Sequence, residues 1–429
     1  MKQTTSFRWN RRQFLRDTLA AAAGIIAAPT IIPASALGRD GAVAPSERIV
    51  MGGFGIGRRG GSDLEVLIYE PDVQFVAIAD ARAERRQAVK DIADKKNGNT
   101  DCVMYQDFRD LHARKDIDAL LIATGDRWHS LASILTAKAG KDMYCEKPCS
   151  TNIADSVALA ETMRRYGRVY QAGTQRRNVP NFVFAIELAR TGKLGKLHTV
   201  HANTLAPGTK LDWLPAEPEP SKDVCDWDMW LGPCPWRPYN SKYISGGWRN
   251  HFDFHGGGIL EWGSHTIDLC QWANDADKTV PVEYQPTAEG CIARYANGVK
   301  LVMRESGWSR EELGTCCVRF EGTEGWVETG DKGDIKVYPE SLRGGRKIKL
   351  QAGTHPAGHI REFLDCVKSR AMPKANGDVA CQSHIASHAA YIAWQLGRKL
   401  TYDPVKNEFI RDEEANRMRS RAKREPWRI

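Results

Sequence analysis

Through the first half of the chain, short apolar runs alternate with segments of helical spacing. Residues 48–54 read as an apolar strand that runs straight into glycines. Leu64, Val66 and Leu67 suggest the helix that follows. Residues 73–79 read as a second buried strand ending at Asp80, and 83–94 as a helix. Residues 117–124 are another apolar strand, 131–139 a helix, and 142–145 again strand-like. Strands alternating with helices at this spacing predict βαβ units and a parallel sheet.

The pattern changes near residue 195. Residues 197–202 alternate apolar and polar positions, and 291–295 and 299–304 flank Ala296-Asn297-Gly298. Asn-Gly is a strong hairpin signal. Residues 317–320, 326–328 and 335–338 continue the theme, so this half reads as a mainly antiparallel sheet. Ile360, Phe363, Leu364 and Val367 lie at i, i+3, i+4 and i+7, one face of a helix, and 384–400 read as a second helix. The expected fold class is therefore α/β. A domain of the Rossmann type, with βαβ units around a parallel sheet, spans 47–170. An α+β domain with a large, open, mainly antiparallel sheet spans 171–429 and ends in helices and a basic tail. The 429 residues suit two domains.

Charge adds an address rather than a partner. The formal net charge is +8, concentrated at the ends. Residues 1–36 carry Lys2, Arg8, Arg11, Arg12 and Arg16 against Asp17. The tail carries Arg417, Arg419, Arg421, Lys423, Arg424 and Arg428 against Glu425 and reads as a solvated arm. The remainder is near neutral, which argues against nucleic acid. Asn10-Arg11-Arg12-Gln13-Phe14-Leu15-Arg16 has the twin-arginine export pattern. The alanine-rich stretch 19–32 falls short of the ~20 residues that span a bilayer, and Ala34-Ser35-Ala36 fits a cleavage site. The expectation is a signal over 1–36, a linker over 37–46, a periplasmic product and no stable membrane insertion after cleavage. The eleven cysteines have irregular spacings that suit buried thiols, and no cysteine–histidine cluster has zinc spacing, so no metal is expected.

Gly55-Ile56-Gly57-Arg58-Arg59-Gly60 is a complete GxGxxG after the first strand. Gly55 permits the turn, Gly57 admits a pyrophosphate, and Gly60 lets helix and strand pack closely. The phosphates then meet the helix N-terminus. Asp80 ends the next strand twenty residues beyond Gly60, the place for a carboxylate on the ribose hydroxyls. The expected cofactor is NAD; Arg82, Arg85 and Arg86 keep NADP open.

With Glu146-Lys147-Pro148 the chain resembles the Gfo/Idh/MocA oxidoreductase family from about Arg48 onward. The likeness includes residues 123–129 (ATGDRWH), Gly173-Thr174-Gln175-Arg176-Arg177, the stretch 226–233, and the glycine-led run 256–268. The last two look like the branch of exported bacterial members. The resemblance implies a site lined by Lys147 and His265, with Glu261 where many members have Asp. It implies Thr124, His129, Glu146 and Lys147 beside the cofactor, with Glu146 supporting the local structure. It also implies a cis Lys147–Pro148 bond, a sugar-like substrate, and a second domain used for substrate and for homo-oligomer contacts, as a dimer or tetramer.

Oxidising an alcohol removes a hydride from carbon and a proton from oxygen. A neutral imidazole suits the second task near pH 7, so His265 could be the base, setting the acidic limb of the pH–rate profile. Glu261 or Asp268 could orient it, and Lys147 could stabilise developing charge or relay the proton. Seven of the thirteen tryptophans lie between Trp213 and Trp272. Aromatic faces suit sugar C–H surfaces. Trp248 and Arg249 are the substrate candidates there. Arg176 and Arg177 could bind substrate or cofactor, or form structural salt bridges.

Three activities fit. The first is an oxidoreductase moving hydride between a tightly held nicotinamide and a sugar, polyol or sugar derivative. The second is a redox-neutral glycosidase, lyase or epimerase using the cofactor transiently. The third is a non-catalytic NAD-binding protein, against which Lys147 and His265 argue.

Overall fold

The computed structural model describes residues 43–206, 208–305, 310–345, 348 and 353–427. The export signal, residues 37–42 of the linker and Arg428 lie outside the described residues. The chain divides at Arg48; before it a 3-10 turn, Pro45–Glu47, is described. The rest of the fold is the unit from Ile49 onward.

That unit opens with a six-stranded sheet. Its strands are β1 (Ile49–Phe54), β2 (Val73–Ala79), β3 (Val103–Tyr105), β4 (Ala119–Ile122), β5 (Asp142–Cys145) and β6 (Tyr170–Ala172). They run in the order β3-β2-β1-β4-β5-β6, all parallel. Both faces are covered, which is why β4 and β5 are buried throughout and read as unbroken apolar runs. Helices α1 (Arg58–Leu67), α2 (Ala83–Asn97), α3 (Phe108–Ala113), α4 (Asp126–Lys138) and α5 (Ile153–Tyr166) connect the strands. Asn152 caps α5 by accepting from the Asp155 amide, and Gly167 ends it in the left-handed region.

After α6 (Pro180–Arg190) the chain enters a nine-stranded sheet through β7 (Leu197–Asn203). A long excursion holding α7 (Trp227–Leu231) leads to α8 (Gly258–Ala273). Strands β8 (Glu283–Thr287), β9 (Gly290–Arg294), β10 (Lys300–Arg304), β11 (Val318–Gly322), β12 (Gly325–Thr329) and β13 (Ile335–Tyr338) follow. The chain ends with α9 (Ala357–Ser369), α10 (Gly377–Leu396), β14 (Leu400–Asp403) and β15 (Glu408–Phe409), then a short helix, Glu413–Arg417. The order is β13-β12-β11-β7-β10-β9-β8-β14-β15; the pairs are antiparallel except β7 with β10. α6, α8 and α10 join this sheet in one apolar core.

Two domain assignments differ from the sequence reading, and the helix read over 384–400 instead spans Gly377–Leu396, with Leu400 opening β14. The first sheet continues to Ala172, so a division at 170 cuts β6. Helix α9, grouped by sequence with the second domain, packs against α1. Its Ile360, Phe363 and Leu364 share a core with Leu64, Leu67 and Tyr144, because burying that apolar face needs the Rossmann side. The eleven cysteines are buried, and none is in a disulfide. Among the described residues no helix is long and apolar enough to cross a membrane.

Candidate functional site

Strand β1 delivers the glycine loop to the mouth of a cleft of about 390 Å³, within the usual range for a ligand site. Gly55 has φ +68°, and a Cβ there would sit 2.2 Å from Thr124 Cγ2. A Cβ on Gly60 would sit 2.5 Å from that of Ala123, so its absence lets α1 approach β4. A Cβ on Gly57 would find only Arg85, 4.0 Å away. The space beside Gly57 is therefore open where a pyrophosphate would approach the backbone. The N-terminus of α1 starts there and favours anions. Ile56 turns its side chain into the core; its place in the site is through its backbone.

The cleft also holds Asp80, Thr124, Trp248 and Arg249, which the sequence had singled out, and the cations Arg58, Arg59 and Arg85. This donor set fits a dinucleotide: amides and guanidinium groups for phosphates, and a carboxylate for ribose. Asp80 Oδ1 accepts from the Arg82 amide at 2.9 Å. Burial pushes its carboxyl up to about 6, against the pull of Arg82. Arg82 and Arg86 donate to the backbone carbonyls of Ile244 and Asp80 at 2.6 Å. Of the three arginines that kept NADP open, these two are thus engaged. Among the described residues, Arg85 has only a 3.8 Å approach to Glu84.

Behind the cleft lies a polar cluster. The Lys147–Pro148 peptide is cis. Lys147 Nζ donates to the Glu261 carbonyl at 2.9 Å and to its Oε1 at 3.2 Å. The other Glu261 oxygen is 3.2 Å from His255 Nε2. His255 Nδ1 accepts from the Gly257 amide at 3.0 Å, so the ring proton sits on Nε2 and points at the carboxylate. Lys147, opposed by burial and aided by His255 and Arg249, holds the Glu261 carboxyl well below the usual range. Asp126 Oδ2 lies 3.7 Å from His255 Nε2 and accepts from the Gly256 amide at 3.2 Å. Trp248 links cluster and cleft: it lines the cleft, and its ring meets His255 edge-on with centroids 5.7 Å apart.

Sequence reasoning missed His255 and Asp126. One signal was present for each: His255 abuts the glycine run, and Asp126 opens α4 directly after Thr124-Gly125.

Other candidates go elsewhere. His265 is buried on α8, and its Nδ1 has no hydrogen-bond partner among the described residues. Neither Glu261 nor Asp268 orients it. Burial, then the cations of Arg176, Lys147 and Arg59, drives its pKa well below the ordinary value. The shift favours the neutral imidazole and moves any acidic limb that His265 sets to lower pH. Asp268 instead receives Arg177 on both oxygens at 2.6 and 2.9 Å, with Ser383 at 2.7 Å. Arg177 also holds Asp277, and Arg176 grips Asp331 at 2.9 and 2.7 Å. Asp268, expected to orient the base, and Arg176 and Arg177, for which structural salt bridges had stayed open beside a ligand role, form buried ion pairs outside the cleft, because an ion removed from water needs a counter-ion.

His129 faces the Pro148 carbonyl at 2.8 Å and that of Thr124 at 3.1 Å, tying the lysine turn to the cleft wall. Glu146 receives Arg59 at 3.3 Å. Burial and then the neighbouring Glu146 raise the carboxyl of Asp63 on the same arginine above its ordinary range.

Residues 48–174 match the oxidoreductase family described as NAD-binding Rossmann fold, and residues 209–429 its C-terminal alpha/beta domain. A myo-inositol 2-dehydrogenase of Thermotoga maritima is 30% identical over 157 residues, 37% of this chain and 45% of that protein. A glycosyl hydrolase family 109 protein of Shewanella sp. (strain W3-18-1) is 32% identical over 171 residues, 36% of this chain and 37% of that protein. The chain thus covers less than half of these relatives' length. Two solved structures share the fold at low identity. A levoglucosan dehydrogenase with NADH and levoglucosan superposes with TM-score 0.60 at 16% identity, over 82% of this chain and 99% of that one. An aldose-aldose oxidoreductase from Caulobacter crescentus with glycerol gives 0.59 at 17%, over 82% and 99%.

Proposed function

We propose that this chain, which belongs to the Gfo/Idh/MocA oxidoreductase family, moves hydride between a tightly held NAD and a sugar, polyol or sugar derivative. The observation that carries this reading is the Lys147–Glu261–His255 cluster set behind Trp248 at a glycine-loop cleft. When bound, the nicotinamide supplies the hydride acceptor or donor. Lys147, aimed by two contacts to Glu261, holds the substrate hydroxyl and stabilises charge as its proton leaves. His265, buried near the cations of Arg176, Lys147 and Arg59, is the candidate to accept that proton. Glu261 balances the lysine, and His255 fixes the carboxylate. The named relatives and neighbours that act on inositol and on sugars support the substrate class.

The test is to add sugars and polyols to the NAD-loaded protein and follow nicotinamide absorbance. Reduction by at least one member is expected; silence across the panel, with NAD bound, sinks the oxidoreductase reading. A second reading, redox-neutral glycoside cleavage, is favoured by the family 109 relative. It predicts release of nitrophenol from nitrophenyl glycosides with no net oxidation or reduction of the bound nicotinamide.

Asp80 gives a separate expectation. Its carboxylate is present above about pH 6 and lost below it. NAD affinity should therefore fall as pH drops through 6, while discrimination against NADP relaxes, because a neutral carboxyl no longer repels a 2′-phosphate. Asp80→Asn should show neither trend by fluorescence titration. The same slope in the variant removes Asp80 from the ribose.

A further inference from the structure

The NAD-binding match stops at residue 174, yet the cleft has a second wall from the excursion between β7 and α8. Met229, Trp230, Ile244, Ser245, Trp248 and Arg249 line it. This segment has its own core, in which Trp227, Trp230, Leu231, Tyr243 and Phe254 pack together. It behaves as a preformed slab rather than a loose loop.

The slab is fastened to the Rossmann sheet at three places around the cleft rim. At the end of β2, Cys225 pairs with Arg82; the Ala83 amide donates to Val224 at 3.0 Å and the Asp226 amide to Ala81 at 3.0 Å. The Arg82 guanidinium donates to the Ile244 carbonyl, and Arg86 to that of Asp223 at 3.3 Å. Beyond β3, Gln106 reaches the Lys222 carbonyl at 3.0 Å and the Asp226 carboxylate at 3.3 Å. At the start of α4, Arg127 donates twice to the Trp230 carbonyl, at 2.8 and 2.6 Å, and lies 3.6 Å over its ring. Trp128 Nε1 donates to Met229 at 3.2 Å.

We propose that residues 221–249 are the second half of the dinucleotide site, a fixed roof that must unfasten before the cofactor exchanges. Release is then limited by the roof, and the cofactor stays through successive turnovers. The inference rests on the NAD reading above and adds the residues and the kinetics. A roof has a signature that a contact residue lacks. Loosening a gate speeds entry and exit together and leaves the equilibrium nearly unchanged. Losing a ligand contact speeds exit and weakens binding in proportion.

The experiment follows NADH fluorescence in both directions: mixing with the NAD-depleted protein, and chasing the NADH-loaded protein with excess NAD. Wild-type release is expected to take minutes or longer. Arg86→Ala and Arg86→Met, which free the Asp223 carbonyl and change a side chain outside the cleft lining, should raise both rates, by about 10-fold, the scale of one hydrogen bond to a charged group. Kd should stay within about 3-fold, well under one tenfold step in affinity. Wild-type exchange within seconds overturns the roof whether or not the variants fold. So does a rise in release alone, matched by lost affinity. Failure to bind NADH at all would sink the cofactor reading and take this inference with it.

Discussion

Lys147→Ala is expected to lower kcat by about 10²-fold or more, the usual loss for a positioned acid–base group, on whichever sugar or polyol reduces the bound NAD. Lys147 is the polar side chain that joins the turn after β5 to α8, through Glu261. It lies outside the nucleotide cleft lining. Bound NAD, measured after denaturation, should therefore be unchanged. Glu261→Asp, the commoner family residue by resemblance, should keep activity, because one methylene less still lets the carboxylate meet Lys147 or His255. His265→Ala is the discriminating companion. Its ring is buried, and its Nδ1 has no hydrogen-bond partner among the described residues. Retention of wild-type kcat in His265→Ala would move the base role to the Lys147–Glu261 pair. Retention in Lys147→Ala would remove that pair from the reaction.

Arg177→Met is expected to lose about 3–5 kcal/mol of stability, the cost of leaving a buried carboxylate without its partner. Arg177 and Asp268 have side chains 1% exposed, joined by two hydrogen bonds. Burial disfavours the guanidinium charge, and Asp268 and Asp277 more than offset it, so the group is held charged. Urea unfolding should read the loss directly, and kcat in the fraction that remains folded should change little. Unchanged stability with abolished turnover would return Arg177 to the substrate, where the sequence had allowed it.

The sequence by itself determined the parts that depend on neighbours along the chain. The glycine loop needs a strand before it and a helix after it, all within residues 49–67, so its chemistry was legible. Asp80 follows from where β2 stops. Buried parallel strands read as apolar runs, and Asn297-Gly298 marked the turn between β9 and β10. Short edge strands escaped: β3 has three residues, none of them buried, and β15 has two. So little buried surface leaves no pattern to read.

Only the tertiary structure decided which charges meet. Asp268 stands only three residues from His265 on α8, yet it faces Arg177 from a distant segment. Glu261 meets Lys147, 114 residues away, and His255, whose role no motif marked. The roof over the cleft was equally invisible, because its fastenings join backbone carbonyls at 222, 230 and 244 to side chains more than a hundred residues earlier. A buried ion takes the counter-ion that folding brings within about 4 Å, since removal from water leaves it no other solvent. Sequence separation does not enter that choice.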